Sequence, residues 1–254
     1  MRQITIKSSS DIVRMEAAGR IVEETLNLLG KACCVGVTTQ ELDRIAAEYI
    51  KSCGAQASFF GYEGYPASIC ASVNAQVVHG IPGKYRLKDG DIIGCDVGAV
   101  KDGFQGDAAR TFLIGNVPQE TVDLVRVTKQ CFFEALRFCR VGYRLGDIGA
   151  AVQTYAEAHG YGVVKELVGH GIGRDMHEPP DVPNYGKPGH GIRLEKGMTI
   201  AIEPMINLGT ADVVQLSDGW TVETADGKPS AHYENTVLIT DGDPVLLTLH
   251  EVTA

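Results

Sequence analysis

Residues 92–114 read IIGCDVGAVKDGFQGDAARTFLI. Two β-rich runs flank Asp102-Gly103, a dipeptide suited to the two left-handed positions of a tight hairpin turn. With those as the turn residues, Lys101 faces Phe104, Gly98 faces Asp107 and Asp96 faces Ala109. Asp96 and Asp107 then become diagonal neighbours on one face, with Cβ atoms under about 8 Å apart. Cys95 and Val97 flank Asp96 and place it at a core boundary, where an unpaired carboxylate is costly. Two solvated aspartates at a sheet edge are the other reading. Ligation of a shared metal accounts better for the apolar setting.

Reading outward, residues 168–178, VGHGIGRDMHE, set His170 between glycines. Such flanks let backbone approach a bound group, although a lone histidine in this setting is more commonly a capping or core residue. His177 and the similarly placed His79 suit proton transfer or hydrogen bonding to a developing oxyanion. Residues 198–205, MTIAIEPM, are a short apolar strand closed by Glu203, with Pro204 ending the ladder and turning the carboxylate to a cleft. Residues 232–239, HYENTVLI, put Glu234 at the start of another strand, where alone it reads equally as a surface residue. Gathered together, four carboxylates would repel and keep protons unless cations neutralised them. Oxygen-rich donors with one imidazole suit two hard or borderline divalent metals.

Between these stretches lie helical patterns. One covers 11–30 (Ile12, Met15, Val22, Leu26, Leu29) after Ser9-Ser10 as possible caps. A second starts near Thr38-Thr39 and stops at Gly54. A third is opened by Pro118, and a fourth carries Ile148 to Tyr155 and ends at Gly160. The chain also aligns with itself. Leu42, Tyr49 and Gly54 match Ile148, Tyr155 and Gly160; His79-Gly80 matches His170-Gly171; and 87–93 matches 194–200, so that Asp96 corresponds to Glu203. A repeat this long implies a pseudo-twofold domain and not a solenoid. The expected fold is α+β: the two halves, about 10–116 and 117–248 of a single domain over 1–254, join in one antiparallel sheet, with helices on its outer face and acidic strand ends meeting on its inner face near the axis.

The chain has 254 residues, enough for a substantial core. Its formal charge of −9 argues against nucleic acid as a partner. No stretch approaches the roughly 20 apolar residues of a membrane span, and Met1 to Lys7 holds no apolar signal core. Seven cysteines, with Cys33 and Cys34 adjacent, form no paired framework, and no Cys-x-x-Cys occurs. Reduced thiols in a cytoplasm are the expectation.

Taken together, DVGAVKDGFQGDAART, VGHGIGRDMHEPP, AIEPM and HYENT occur in an order and spacing that resembles the type I methionine aminopeptidases of the pita-bread metallopeptidase family, from about residue 8 to 248. The chain looks like the short bacterial form, with no zinc-finger extension or type II insert. The resemblance implies removal of the N-terminal methionine from nascent proteins, with a small second residue preferred, by attack of a metal-activated water at a dinuclear site. It implies that Asp96 holds one metal, that Asp107 and Glu234 bridge two, and that His170 and Glu203 complete the other. Glu203 would also shuttle the proton. His79 and His177 would position the amide and stabilise the tetrahedral intermediate. Phe59, Tyr62, Tyr65, Cys70, Met176 and Trp220, with His79 and His177, would bind the methionine. Backbone carbonyls near Asn74, Gln76 and Ser230 would hold one Na⁺ or K⁺.

The divalent ions implied are Co, Mn, Fe or Zn, and the implied substrates are deformylated nascent chains at the ribosome, acted on by a cytoplasmic monomer. Phe59 and Met176 depart from the best-known enterobacterial form, which has cysteine and phenylalanine there; both remain apolar, so methionine still fits. An aminopeptidase P or prolidase of the same fold, and a pita-bread protein that binds without catalysis, are the alternatives.

Overall fold

Among the described residues, four α-helices carry the outer layer. The computed structural model describes residues 3–250, so Met1 and Arg2 of the N-terminal stretch lie outside the described residues. Helix α1 (Ser9–Ala32) is capped by Ser8, one residue before the expected pair: its hydroxyl accepts from the Asp11 N–H while the Asp11 carboxylate accepts from the Ser8 N–H. This reciprocal box satisfies two otherwise orphan donors. Helix α2 (Thr39–Ser52) is boxed the same way by Thr38 and Glu41. Helix α3 (Gln119–Leu136) follows Pro118, which is its N-cap and not its first residue. Helix α4 (Leu145–Ala158) begins where Asp147 accepts from the Arg144 N–H.

The repeat read in the sequence has direct structural counterparts. Leu42 and Ile148 are both fully buried, and Gly54 and Gly160 both take left-handed backbone just beyond their helices. Gly90 and Gly197, which open the matched strands, do so as well, at φ 93° and 88°. One apolar core gathers residues from Ile21 to Ile114 under α1 and α2, and another gathers residues from Leu124 to Ile239 under α3 and α4. Each buried Leu or Ile contributes roughly 1.5–3 kcal/mol.

Every named strand pair is antiparallel, although the strands form four ladders and not one unbroken sheet. The first half supplies Ile92–Lys101, paired with Ile69–Val73 on one edge and Phe104–Leu113 on the other. Asp102 and Gly103 turn this hairpin at φ 50° and 75°, and the register is the one the dipeptide dictates: Lys101 with Phe104, Gly98 with Asp107, Asp96 with Ala109. The second half supplies Thr199–Ile202, flanked by Asn235–Leu238 and Gly169–Gly171, with Glu178–Val182 and Val245–Leu246 outermost. Two three-stranded ladders, one centred on Met205–Asn207 and the other on Val222–Thr224, complete the frame.

The halves meet at a seam. Ala109 and Glu234 exchange both backbone hydrogen bonds, at 3.3 and 3.0 Å. On either side, threonine hydroxyls complete the contact. Thr236 Oγ1 accepts from the Asp107 N–H and donates to the Asp107 carbonyl, and Thr111 Oγ1 accepts from the His232 N–H and donates to the His232 carbonyl. Arg110 stitches the same seam, donating to the carbonyls of Ala109 and Glu234 and to Asn235 Oδ1. Among the described residues no helix is long and apolar enough to cross a membrane.

Helix α1 crosses this hairpin at backbone contact: a Cβ on Gly106 would lie 2.8 Å from the Gly19 nitrogen. Gly106→Ala must push α1 off the sheet and should cost about 1–3 kcal/mol, read as a lower urea midpoint at unchanged m-value. A midpoint equal to that of the parent chain would refute this account of the packing.

Candidate metal centre

The seam and the hairpin bring the acidic residues to one place. Asp96 lies in the middle of the Ile92–Lys101 strand and not at its end, which corrects the expectation of two acidic strand ends. Glu203 does follow its strand, directly after Thr199–Ile202. There Pro204 offers no N–H to continue the ladder, and buried Asn184 donates from Nδ2 to the Glu203 carbonyl at 2.8 Å. Glu234 is carried by the seam itself. One oxygen of Asp107, one of Glu234 and a ring nitrogen of His170 lie within 4.8 Å of one another. A second group of the same span comprises Asp96, Glu234 and His232, so Glu234 belongs to both. Glu203 lies between the two histidines: its Oε1 is 3.7 Å from His170 Nε2 and its Oε2 is 3.9 Å from His232 Nε2.

The glycines beside His170 serve a different purpose from the one expected. A Cβ on Gly169 would meet the Ala201 carbonyl at 2.4 Å, and one on Gly171 would meet the Pro179 carbonyl at 2.2 Å. They admit the neighbouring strands on both sides to the backbone of this narrow strand. The His170 ring is fixed by its other nitrogen. Nδ1 lies 2.9 Å from the Gly171 carbonyl, which can only accept, so Nδ1 carries the proton and Nε2 points a bare lone pair at the carboxylates.

Burial dominates the electrostatics. Desolvation raises Asp96 to about 7. Asp107, Glu203 and Glu234 are pushed well above the carboxylate range, first by desolvation and then by one another's charge. His170 and His232 are both lowered to about 3 by burial, which keeps their rings neutral. Asp96 Oδ1, Asp107 Oδ1, Glu234 Oε1 and His232 Nε2 are buried without any hydrogen-bond partner. Buried polar atoms are normally paired, and orphans cost about 1–3 kcal/mol each. Orphaned carboxylate oxygens converging beside neutral imidazoles fit divalent cations, which would satisfy the oxygens and cancel their charge.

A cleft of about 220 Å³ opens above the five expected donors. All eight residues expected to bind methionine line it: Phe59, Tyr62, Tyr65, Cys70, His79, Met176, His177 and Trp220. Tyr65 is more deeply placed than its glycine-rich loop suggested. It is 3% exposed, donates to the carbonyls of Ile69 and Gly80, and meets Trp220 edge-on at 5.1 Å. His79 takes a left-handed φ of 60°, unusual for a residue with a side chain, at the lip of the cleft. His177 packs edge-on against His170 at 4.3 Å, and its Nδ1 is 2.7 Å from the Tyr62 hydroxyl. Below the cleft, the Ser230 N–H donates to the Asn74 carbonyl at 2.9 Å, and the Gln76 side chain accepts from the Val73 N–H.

Two residues of this centre were missed in the sequence. His232 shares the 230–234 segment with Glu234, two residues away, and period-two alternation places both on one face; that was the available signal. Asn184 had none, because its partner is a backbone carbonyl brought up by the fold.

Comparison with known proteins gives four further observations. Residues 13–241 match the sequence pattern of metallopeptidase family M24. The chain is 54% identical over 249 residues to a methionine aminopeptidase of Clostridium acetobutylicum, covering 98% of this chain and 100% of that one. It superposes on the crystal structure of a methionine aminopeptidase from Thermotoga maritima with a TM-score of 0.95 at 43% identity, covering 97% and 99% of the two chains. A prolidase from Pyrococcus furiosus, at 21% identity and a TM-score of 0.79, covers 97% of this chain and 66% of that one and shares the fold.

The carboxyl shifts set a testable slope. Above about pH 7.5, a full unit over the ordinary imidazole value, the histidines are essentially neutral in the folded and unfolded chain alike. The carboxyls of Asp107, Glu203 and Glu234, pushed well above the ordinary carboxylate range, still hold protons there that the unfolded chain has lost. A raised folded value stabilises fully at low pH, and that contribution is lost as pH climbs through it. Metal-stripped protein should therefore melt at progressively lower temperature between about pH 7.5 and 9, and excess Mn²⁺ should cancel the decline. A metal-free melting temperature that rises across this window would contradict the assignment.

Proposed function

The chain belongs to metallopeptidase family M24, and from that premise we propose that it removes the N-terminal methionine of nascent polypeptides, using Asp96, Asp107, His170, Glu203 and Glu234 to hold two divalent ions. It is a metallo-exopeptidase of mixed α/β, pita-bread architecture. The observation that carries the reading is the convergence of orphaned carboxylate oxygens at the floor of an apolar cleft whose walls suit a thioether.

Bound divalent metal would neutralise the carboxylates and lower the pKa of a water to near neutrality. The chain's own groups do the rest. Phe59, Tyr65, Met176 and Trp220 enclose the methionine side chain and exclude water. His79 and His177 stand at the cleft wall, where each can donate to the scissile carbonyl oxygen as charge builds on it. The Tyr62 hydroxyl holds His177 in place through Nδ1, leaving Nε2 for this role. Glu203 has its carboxylate facing both histidines and its backbone held by Asn184. It accepts the proton of the attacking water and returns it to the leaving amine. The substrate's free α-amine binds beside the carboxylates, so only the first residue is released and a formylated chain is excluded. Carbonyls near Asn74, Gln76 and Ser230 would hold a structural Na⁺ or K⁺. Co, Mn, Fe and Zn all suit the divalent donor set. The setting we favour is the cytoplasm, on chains leaving the ribosome after deformylation, with the enzyme acting as a monomer.

Glu203→Gln keeps the shape of the side chain but cannot carry the proton. It should lower kcat by roughly 100-fold or more in protein whose circular dichroism and melting are those of the parent. Near-full turnover would remove the shuttle role. A second measurement uses metal-stripped protein reloaded with Mn²⁺, Fe²⁺ or Co²⁺ and a panel of tripeptides. Met-Ala-Ser should be cleaved far faster than Met-Lys-Ser or Ala-Pro-Ser, and the stripped protein should be inert. Preference for the proline peptide would point to an aminopeptidase P activity, and turnover without metal would end the metallopeptidase mechanism.

A further inference from the structure

His232 stands outside the five donors assigned above, yet its geometry is theirs. It ends the Ser230–His232 strand, is 3% exposed, and leaves Nε2 buried without a hydrogen-bond partner. That nitrogen lies 3.7 Å from Glu234 Oε2 and 3.9 Å from Glu203 Oε2. His170, a donor implied by the family, shows the same relation: its Nε2 is 3.8 Å from Asp107 Oδ2 and 3.7 Å from Glu203 Oε1. Such gaps are too long for hydrogen bonds. They fall between the cis and trans separations, about 3 and 4 Å, of two donors that each sit about 2.1 Å from a common ion.

We propose that His232 Nε2 is a sixth protein ligand, supplying an imidazole to the metal position bounded by Asp96 and Glu234, as His170 does for the position bounded by Asp107 and Glu234. The proposal rests on the two-metal reading and adds a donor to it. The main chain holds His232 ready for this role. Thr111 bonds its N–H and its carbonyl, and Met205 pairs with it on the opposite edge. The charge balance favours a neutral ligand here. Four carboxylates already match the charge of two divalent ions, so an imidazole adds coordination without adding negative charge. Arg110 does not satisfy the orphaned oxygens: it makes hydrogen bonds to the carbonyls of Ala109 and Glu234 and to Asn235 instead. A nitrogen at each position would favour borderline ions such as Co²⁺, Fe²⁺ and Zn²⁺ over Mg²⁺ and Ca²⁺ at both.

X-ray absorption on intact protein loaded with two equivalents of Co²⁺ decides this without any variant. One imidazole per ion is expected, and half an imidazole per ion would overturn the proposal. Calorimetric titration of metal-stripped His232→Gln with Co²⁺ gives an independent reading. One of the two equivalents should weaken by at least about tenfold while the other is retained, and unchanged affinities at both would overturn it. These outcomes separate from failure of the parent reading: a wild-type chain that binds no divalent ion defeats both, whereas normal binding of two ions with a single imidazole defeats only the role of His232.

Discussion

The antiparallel contact between Ala109 and Glu234 is the constraint on which the rest of the molecule depends. It is the point where two independently cored halves become one structure, and it is made by the residues that separate the metal-facing side chains. Asp107 lies two residues before Ala109, and Glu234 is its direct partner. A slip of one residue along this seam would turn every side chain to the other face and scatter the donor set. The two threonines prevent that slip. Each hydroxyl donates and accepts at once, so Thr111 and Thr236 satisfy backbone groups that an irregular junction would leave orphaned.

That rigidity allows the centre to be built against its own electrostatics. Buried carboxyls repel and resist ionisation, and buried histidines resist protonation. A flexible junction would relieve both by letting the side chains swing to water. Here Glu234 is locked by Ala109 and Arg110, Glu203 by Asn184, and His170 by the Gly171 carbonyl. The stability lost at the site is offset by the two apolar cores, and the site keeps a standing demand for cations. Rigid positioning of charged side chains by groups that are themselves hydrogen-bonded is what metal catalysis requires.

The cleft above the buried carboxylates follows similar reasoning. Its walls come from a glycine-rich loop, a short helical turn and strand ends of both halves, yet Tyr65 and Met176 are as buried as core residues. The pocket is thus a small satellite core with one open side. Under the proposed function it would receive a flexible thioether, and His79 and His177 line the same cleft as the acidic residues.

Much of this was legible in one dimension. The Asp102-Gly103 turn fixed the register of its hairpin, because a two-residue loop with two left-handed positions leaves one pairing open, and that register alone placed Asp96 diagonally to Asp107. Capping residues marked the starts of the first three helices to within two residues, and the internal repeat tied Asp96 to Glu203. These features are set by neighbours within a few positions or by a pattern that repeats, so a linear reading reaches them. What brings His170, Glu234 and His232 to the hairpin is of another kind. The 109–234 seam pairs residues more than a hundred positions apart through an irregular ladder finished by threonine side chains, and no local preference encodes it. The glycines beside His170 were legible as a need for close approach, but only the packed strands showed that the approaching group is protein backbone. The sequence by itself determined which chemical groups were available and how each sits on its own strand; the tertiary structure decided which of them converge, because that depends on the register between segments far apart in the chain.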